Sequence, residues 1–486
     1  MFLYALSIIL ASRTLLTNVN AAEWGDSYRI LRASNFIREA SYPQDEKRPP
    51  LFSALLAIRP GNVDAVLWGR IFMLGIFLTA LFVFYQLGQK MLTTANQRWL
   101  ALLFLALNPV YLYWSLRIYA DILFSLWVLW CFYLFERWRE NRNKAAAKFL
   151  IGMGVICGLS ILTRFEGYLL TFSTACGILV LTNATLKQKF SQLISFGLTV
   201  AILILPWLIY RNPLTSSYFE EPAGRNYDLE TIITYLISYL FVLGIIPAFA
   251  LIRARTAIIK KYPHIFTFLI LESLLILAWP AAIPRLFIPI IPFLIVALVK
   301  NLEPDLRNVS PVLSIVLAVI YILGQNKLRL QFLGPHTLVF AFVSIISITG
   351  TIFLLLKQRK LFLLSALVSM SALASSTIYL HKDVYRTIQE LAVYARQAAP
   401  GKTLHNDSAG LVSWYLPQSE YKNFDSKIHL TREYLLDNNI SYLIITNEFN
   451  PNLEIALDKR PHLHLIKKSE YQRGGKMFFT WLVEVE

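Results

Sequence analysis

The stretch RWRENRNKAAAK, Arg137 to Lys148, packs five basic residues and one acid between two apolar runs, 118–136 and 149–163. A basic cluster between apolar runs is what a membrane protein leaves on the cytoplasmic side of the bilayer. Three further clusters follow: the lysines of TLKQKF (185–190), RARTAIIKKY (253–262) and KQRK (357–360). Counted along the apolar runs, all four fall on alternate connections and so on one side. That fixes the parity of the chain, with a cytoplasmic N-terminus and the C-terminus outside.

Composition agrees. Of 486 residues, 56% are hydrophobic and 16% charged, and the charges gather in short clusters rather than spreading as a soluble surface requires. Apolar runs near 1–19, 63–88, 99–113, 118–136, 149–163, 167–183, 190–210, 229–251, 265–281, 284–300, 309–325, 336–356 and 361–380 predict a polytopic all-α membrane protein of about thirteen transmembrane helices. The opening MFLYALSIILASRTLL lacks a basic segment ahead of its apolar run and a small-residue cleavage site, and reads as a retained helix. The net charge of +16 is no sign of nucleic-acid binding. From His381 onward 13 basic and 13 acidic residues cancel, so the excess lies wholly in the membrane part, where it reports orientation. Cys131, Cys157 and Cys176 fall inside predicted spans and act as small core hydrophobes. Small residues in GMGVICG (152–158) suit helix packing rather than a phosphate loop.

Two segments are polar enough to have structure of their own. Residues 1–380 are expected to form the membrane core, with an outer loop at 20–62, and 381–486 a small extracytoplasmic α/β domain. In the loop, DSYRILRASNFIRE (26–39) spaces Tyr28, Leu31 and Phe36 as an amphipathic helix able to lie along the interface. In the tail, DVYRTIQELAVYARQ reads as a helix, GKTLHNDSAG and VSWYLP as strand-and-turn units, and NNISYLIITNEF and MFFTWLVEVE as strands. His381, His405, His429, His462 and His464 show no metal-ligand spacing.

This topology brings ionisable groups from five separate positions to the outer membrane edge. They are Glu23 with Asp26 in AAEWGDSYRILRA (21–33), Arg48 in EKRPPLF, Asp121 in RIYADILF, Arg164 with Glu166 in LTRFEG, and Arg285 in AIPRLFIP. Asp121 and Arg164 stand out, because a charge beside an apolar run is costly unless it is paired or faces a wet cavity. Arg29, Arg32 and Lys47 fit solvated loop surface. Several carboxylates and three arginines at one depth describe a polar cavity for an anionic substrate.

A cavity on that side has no access to cytosolic nucleotide sugars or ATP. An activated substrate there arrives through the lipid, and a lipid-linked phosphosugar fits. Arginines hold its phosphate with charge-assisted hydrogen bonds. A carboxylate takes the proton of an acceptor hydroxyl as that oxygen attacks the anomeric carbon. The polyprenyl phosphate leaves as a stabilised anion. One displacement of this type inverts the anomeric centre.

At these residues the sequence resembles the membrane-embedded C-type glycosyltransferases, in the branch holding the protein O-mannosyltransferases and the bacterial aminoarabinose transferase of lipid A. The resemblance runs from Met1 to about Arg285, ending in PRLFIPIIPFL, and fades over the last helices and the tail. It implies a polyprenyl-monophosphate sugar donor and a lipid, glycan or protein acceptor. EWGDSYR resembles the acidic motif of the first outer loop, with Asp26 as the catalytic carboxylate and Tyr28 in support. Gly25 and Ser27 flank Asp26 where the family more often has an adjacent acidic pair, so Glu23 remains the alternative base. Arg48-Pro49-Pro50-Leu51 resembles the basic-Pro-Pro-Leu signature, which implies that Arg48, beside Lys47, approaches the donor phosphate. ADILFSLW resembles the second acidic position, at Asp121, which orients the acceptor or a cationic partner. LTRFEG and PRLFIP resemble the elements that anchor the phosphate through Arg164 and Arg285, with Glu166 supporting. Asp26, Asp121 and Glu166 could meet around a divalent metal, as in oligosaccharyltransferase relatives with a lipid-diphosphate donor; a monophosphate donor met by arginines needs none, and no cofactor is expected.

Two other functions share a charged cavity. A lipid-linked glycan transporter or flippase would carry its charges nearer the midplane, in pseudo-symmetric halves, and neither pattern is present. A lipid-diphosphate-using polymerase or ligase would depend on a different set of loop arginines. The basic pI fits a prokaryotic plasma membrane.

Overall fold

The computed structural model describes residues 11, 13–141, 146–181, 185–211, 228–242, 261–279, 283–301, scattered positions between 342 and 356, and 358–486 apart from 426, 451–452, 454 and 474–475. The predicted spans at 309–325 and most of 336–356, the end of the span 229–251, loop residues 212–227, and the first ten residues lie outside them. The chain forms two compact units. The first comprises residues 1–17, 43–333 and 337–377, the second 18–42, 334–336 and 378–486. By internal contacts, the 18–42 part of the outer loop therefore groups with the C-terminal residues.

The protein is a polytopic, mostly helical membrane protein with a small C-terminal domain that contains a β-sheet. Its helices, in chain order, are α1 (Gly25–Arg38), α2 (Leu51–Ala57), α3 (Ala65–Met91), α4 (Ala95–Ala106), α5 (Pro109–Ser115), α6 (Ala120–Glu140), α7 (Ala146–Ile161), α8 (Gly167–Leu181), α9 (Leu186–Tyr210), α10 (Leu229–Val242), α11 (Pro263–Ala278), α12 (Ile291–Asn301) and α13 (Arg359–His381). They begin near where hydropathy places them, but many are shorter than a full crossing. Among the described residues, three helical stretches are long and apolar enough to span: Ala65–Met91, Leu186–Tyr210 and Lys360–Ala398. The α5–α6 pair, bent by 116°, makes a fourth if taken as one span. Against the expectation of about thirteen transmembrane helices, the described residues thus show three or four long enough to cross, with further apolar helices of 10–17 residues.

The breaks have local causes. Asn108 caps α5, its side chain accepting from the N–H groups of Val110 and Tyr111, and Pro109 occupies the first helical position. These two residues end α4 and restart the chain in a new direction. At Thr163–Glu166 the chain turns sharply. A Cβ at Gly167 would lie 2.5 Å from the Ser160 carbonyl carbon, so only glycine fits that turn.

The second unit holds α1 together with α14 (Arg386–Ala398), β1 (Thr403–His405), α15 (Leu411–Tyr415), β2 (Glu420–Tyr421), α16 (Arg432–Asp437), β3 (Tyr442–Thr446), β4 (Leu463–Arg473) and β5 (Lys476–Val485). The sheet order is β2-β1-β3-β5-β4. β1 runs parallel to β2 and β3, while β5 is antiparallel to both β3 and β4. Leu404, Leu435, Leu443, Ile445 and Val483 form its core. VSWYLP is the exception to the sequence reading. Its first four residues lie in α15, where Asp407 accepts the N–H of Val412 and Gly410 takes the left-handed conformation (φ 79°) that starts the turn.

Candidate functional site

In the first unit the sequence-flagged charges converge around the breaks in the helices. Asp121 lies in the first turn of α6, where the positive end of the helix dipole favours a carboxylate. It is 2% exposed and accepts Nη1–H of Arg164 at 2.5 Å. The same guanidinium donates through Nε to Glu166 Oε1 at 3.1 Å and through Nη2 to that oxygen. Arg164 is thus an ion-pair partner of Asp121, while Arg117 is buried with its guanidinium 5.5 Å from the Tyr113 ring. Burial works to raise the Glu166 pKa, but the charge and hydrogen bonds of Arg164 and the charge of Arg285 outweigh it, and the group is held below its ordinary value. Arg285, in the short helical turn Pro284–Phe287, stacks over Tyr119 (4.9 Å) and Trp114 (5.5 Å), the rings that flank the α5–α6 break.

The Arg48 motif joins this region through the backbone. After Pro49 and Pro50 the Leu51 N–H donates to the Leu162 carbonyl at 2.9 Å, which places the basic-Pro-Pro-Leu turn beside the LTRFEG turn. Arg48 is oriented by Glu46, whose buried carboxylate accepts both its backbone N–H (3.0 Å) and its guanidinium (2.9 Å). The loop beneath is clasped by Arg211, whose guanidinium donates to the carbonyls of Pro43 (3.0 Å), Gln44 and Glu46.

Sequence reasoning passed over three of these residues. Glu46 and Arg211 are two. The signal for Arg211 was a basic residue closing an apolar run on the side the parity argument assigns to the outside. Glu272 is the third. It sits 2% exposed in α11 and interacts electrostatically with Glu166 and Arg164. A lone acid inside LILESLLIL was visible and is costly in such a run. The cluster therefore holds Asp121, Glu166 and Glu272 against Arg164 and Arg285. No group of three His, Cys, Asp or Glu arranged to hold a metal is present among the described residues.

Glu23 and Asp26 belong to the second unit. Glu23 is fully buried and its N–H donates to Tyr28 Oη at 3.1 Å. Asp26 lies half-buried in the first turn of α1. Burial, with the neighbouring Tyr415 and the charge of Glu23, keeps the Tyr28 phenol protonated far above its ordinary range, so it supports as a neutral hydroxyl. The expected helix is present; Tyr28 and Leu31 of its apolar face meet protein, while Phe36 is exposed. Tyr28 packs on Trp414 (6.0 Å) and Tyr415 (5.9 Å), and Leu31 is 1% exposed. Lys47 is half-buried in the first unit.

The tail histidines have structural roles. His405 Nδ1 accepts the Asp407 N–H (3.2 Å), so its neutral ring carries the proton on Nε2 and donates to Ser413 Oγ (3.0 Å). That polarity forbids it from acting as a base toward Ser413. Burial pushes its pKa down to about 4. His462 bonds the Leu430 carbonyl and His464 pairs with Glu486.

Residues 47–210 match the family described as dolichyl-phosphate-mannose-protein mannosyltransferase. No curated protein sequence matches the chain. Among solved structures, ArnT from Cupriavidus metallidurans bound to undecaprenyl phosphate superposes with a TM-score of 0.67 at 12% identity, over 99% of this chain and 97% of that one. The apo form of the same protein gives 0.64 at 11% identity over 98% and 97%. The oligosaccharyltransferase AglB from Archaeoglobus fulgidus, in complex with an inhibitory peptide and a dolichol-phosphate, gives 0.57 at 11% identity over 92% of this chain and 70% of that one. At these identities the likeness establishes the fold, that of the membrane-embedded C-type glycosyltransferases.

Proposed function

We propose that this chain, built on the C-type membrane glycosyltransferase fold, is an inverting glycosyltransferase that moves a sugar from a polyprenyl-monophosphate donor to a hydroxyl acceptor on a lipid, glycan or protein. The observation that carries the reading is the buried Asp121–Arg164–Glu166 ion cluster with Arg285 beside it and the Arg48 turn hydrogen-bonded to its neighbour. Arginines held in fixed orientation are what a phosphate monoester needs. The phosphate-bearing lipids in the ArnT and AglB structures support the same donor chemistry.

In the proposed reaction Asp26 takes the proton from the acceptor hydroxyl. The acceptor oxygen forms its bond to the anomeric carbon while the bond from that carbon to the phosphate oxygen breaks. The electron pair leaves with the polyprenyl phosphate, whose charge Arg48, Arg164 and Arg285 stabilise. Glu23 is the competing base. Asp121 orients Arg164 or the acceptor, and Glu166, Tyr28 and Lys47 support. Around this site we place a core of about thirteen helices, spanning 1–380 with the loop 20–62, a cytoplasmic N-terminus, and an extracytoplasmic domain from 381 in a prokaryotic plasma membrane.

The test is transfer by the purified full chain in nanodiscs. Polyprenyl-monophosphate mannose, glucose and aminoarabinose, radiolabelled in the sugar, are supplied with a total membrane extract as acceptor source. Transfer with inversion at the anomeric carbon is expected from one donor. Activity only with diphosphate-linked donors would move the chain to the polymerases and ligases. Passage of labelled lipid across proteoliposomes without bond formation would make it a flippase.

A further inference from the structure

The helix α1 lies in sequence between residues 1–17 and 43–333 of the first unit, yet its described contacts lie within the C-terminal unit. We infer that the C-terminal domain is the positioning scaffold of the base: Gly25, Ala409 and Tyr385 set where the Asp26 carboxylate stands. The inference rests on the reading of Asp26 as base.

Five residues around Asp26 are held by the domain. Upstream, the Ala21 N–H donates to the Lys382 carbonyl at 2.7 Å. Trp24, the residue before the helix, meets the Tyr385 ring edge-on at 5.6 Å and lies 6.3 Å from the His381 ring. Downstream, Tyr28 rests on Trp414 and Tyr415, and Arg29 Nη2 donates to the Ser408 carbonyl at 3.0 Å. Between them, Gly25 is pressed against Ala409. A Cβ at position 25 would stand 3.1 Å from Ala409 Cα and well inside contact distance of Ala409 Cβ. Glycine is thus required here for close approach rather than for an unusual backbone angle.

The scaffold side is itself rigidly built. Asp407, fully buried, accepts the N–H groups of Ala409 and Val412, both at 2.8 Å, and so pins the loop that carries Ala409. Tyr385 holds a left-handed backbone (φ 61°), a costly conformation for a bulky residue that persists only where the surroundings over-determine it. Its phenol is kept neutral by burial and by the charges of Glu448, Asp407 and Asp26, so it does not compete with Asp26 for the acceptor's proton. The flanking Gly25 in place of a second acid is what lets the helix start sit this close to Ala409.

The experiment uses the full chain with the donor that turns over in the transfer assay above. G25A is expected to lower kcat at least ten-fold with donor KM and undecaprenyl phosphate binding within two-fold of wild type. Adding A409G removes the worst clash and should recover at least a third of the lost kcat, since only the 3.1 Å contact to Cα remains. A409V, which presses on the helix start from the domain side, should reproduce the G25A split and serves where G25A does not fold. Wild-type kcat in G25A or A409V overturns the inference, as does a G25A/A409G variant that is no better than G25A. D26N separates the two layers. An active D26N removes the base reading itself, whereas an inactive D26N beside a fully active G25A removes only the positioning role.

Discussion

The two carboxylate-bearing regions are held by different physics. In the membrane unit Asp121 and Glu166 are oriented by ion pairs with one guanidinium, each buried enough that the pairing is strong and its loss expensive. In the second unit the helix bearing Asp26 is seated by aromatic rings, a backbone hydrogen bond and the absence of a side chain at Gly25. A group meant to hold a phosphate benefits from a fixed charge lattice. A group meant to receive a proton benefits from a stiff support that does not itself neutralise the charge. The contrast is the one expected if, as proposed, the first region binds the donor phosphate and the second takes the proton.

Asp26→Asn tests it most severely. General-base catalysis contributes about 10²- to 10⁴-fold, so transfer should fall on that order while undecaprenyl phosphate still binds. An inactive Glu23→Gln beside an active Asp26→Asn would instead move the base to Glu23. Arg164→Ala should show the opposite profile. It leaves two buried carboxylates uncompensated, a cost of about 3–5 kcal/mol, seen as a lower unfolding midpoint in detergent and weaker donor binding. Adding Asp121→Asn and Glu166→Gln should recover part of the stability and none of the donor affinity.

The second unit offers a pH-dependent test. Glu448 accepts hydrogen bonds from Thr387 and Tyr471, with Arg473 4.0 Å away, yet burial raises its pKa to about 7. The folded state then binds the proton more tightly than the unfolded chain. That stability is complete below the ordinary carboxylate pKa near 4.5 and is lost as pH rises through about 7. It amounts to something on the order of 3 kcal/mol. Glu448→Gln should flatten the fall in unfolding midpoint between pH 5 and pH 8; an unchanged slope refutes the assignment. His405 runs the other way, its contribution present above pH 6.5 and lost as pH falls through about 4.

The smallest effect is expected at Glu272. Its buried carboxyl interacts with Glu166 and Arg164, and an amide of the same shape keeps that packing, so Glu272→Gln should leave the donor KM within two-fold of wild type. A higher KM would make Glu272 part of the binding set instead.

Much of the first region was legible. Asp121, Arg164 and Glu166 each interrupt or border an apolar run, and the cost of burying a charge marks them one by one. Topology put them on one side; which of them pair came from the structure. The seating of α1 was not legible, because no local periodicity encodes a contact between Gly25 and Ala409. The helix itself was, from Tyr28, Leu31 and Phe36; what covers its apolar face was not. Hydropathy likewise found the apolar runs and the break at LTRFEG, but not the one at Asn108-Pro109, which falls inside the run 99–113 and shortens the helix below a full crossing.

The contact between α1 and the Ala409 loop joins two segments made far apart in time. About 380 residues separate Gly25 from Ala409. At 5–20 residues per second, the Asp26 helix waits roughly 20 to 80 seconds for its support. A nascent chain that stops short of Ala409 thus lacks the seat of that helix. On the reading proposed above, transfer begins only once the Ala409 loop has been made.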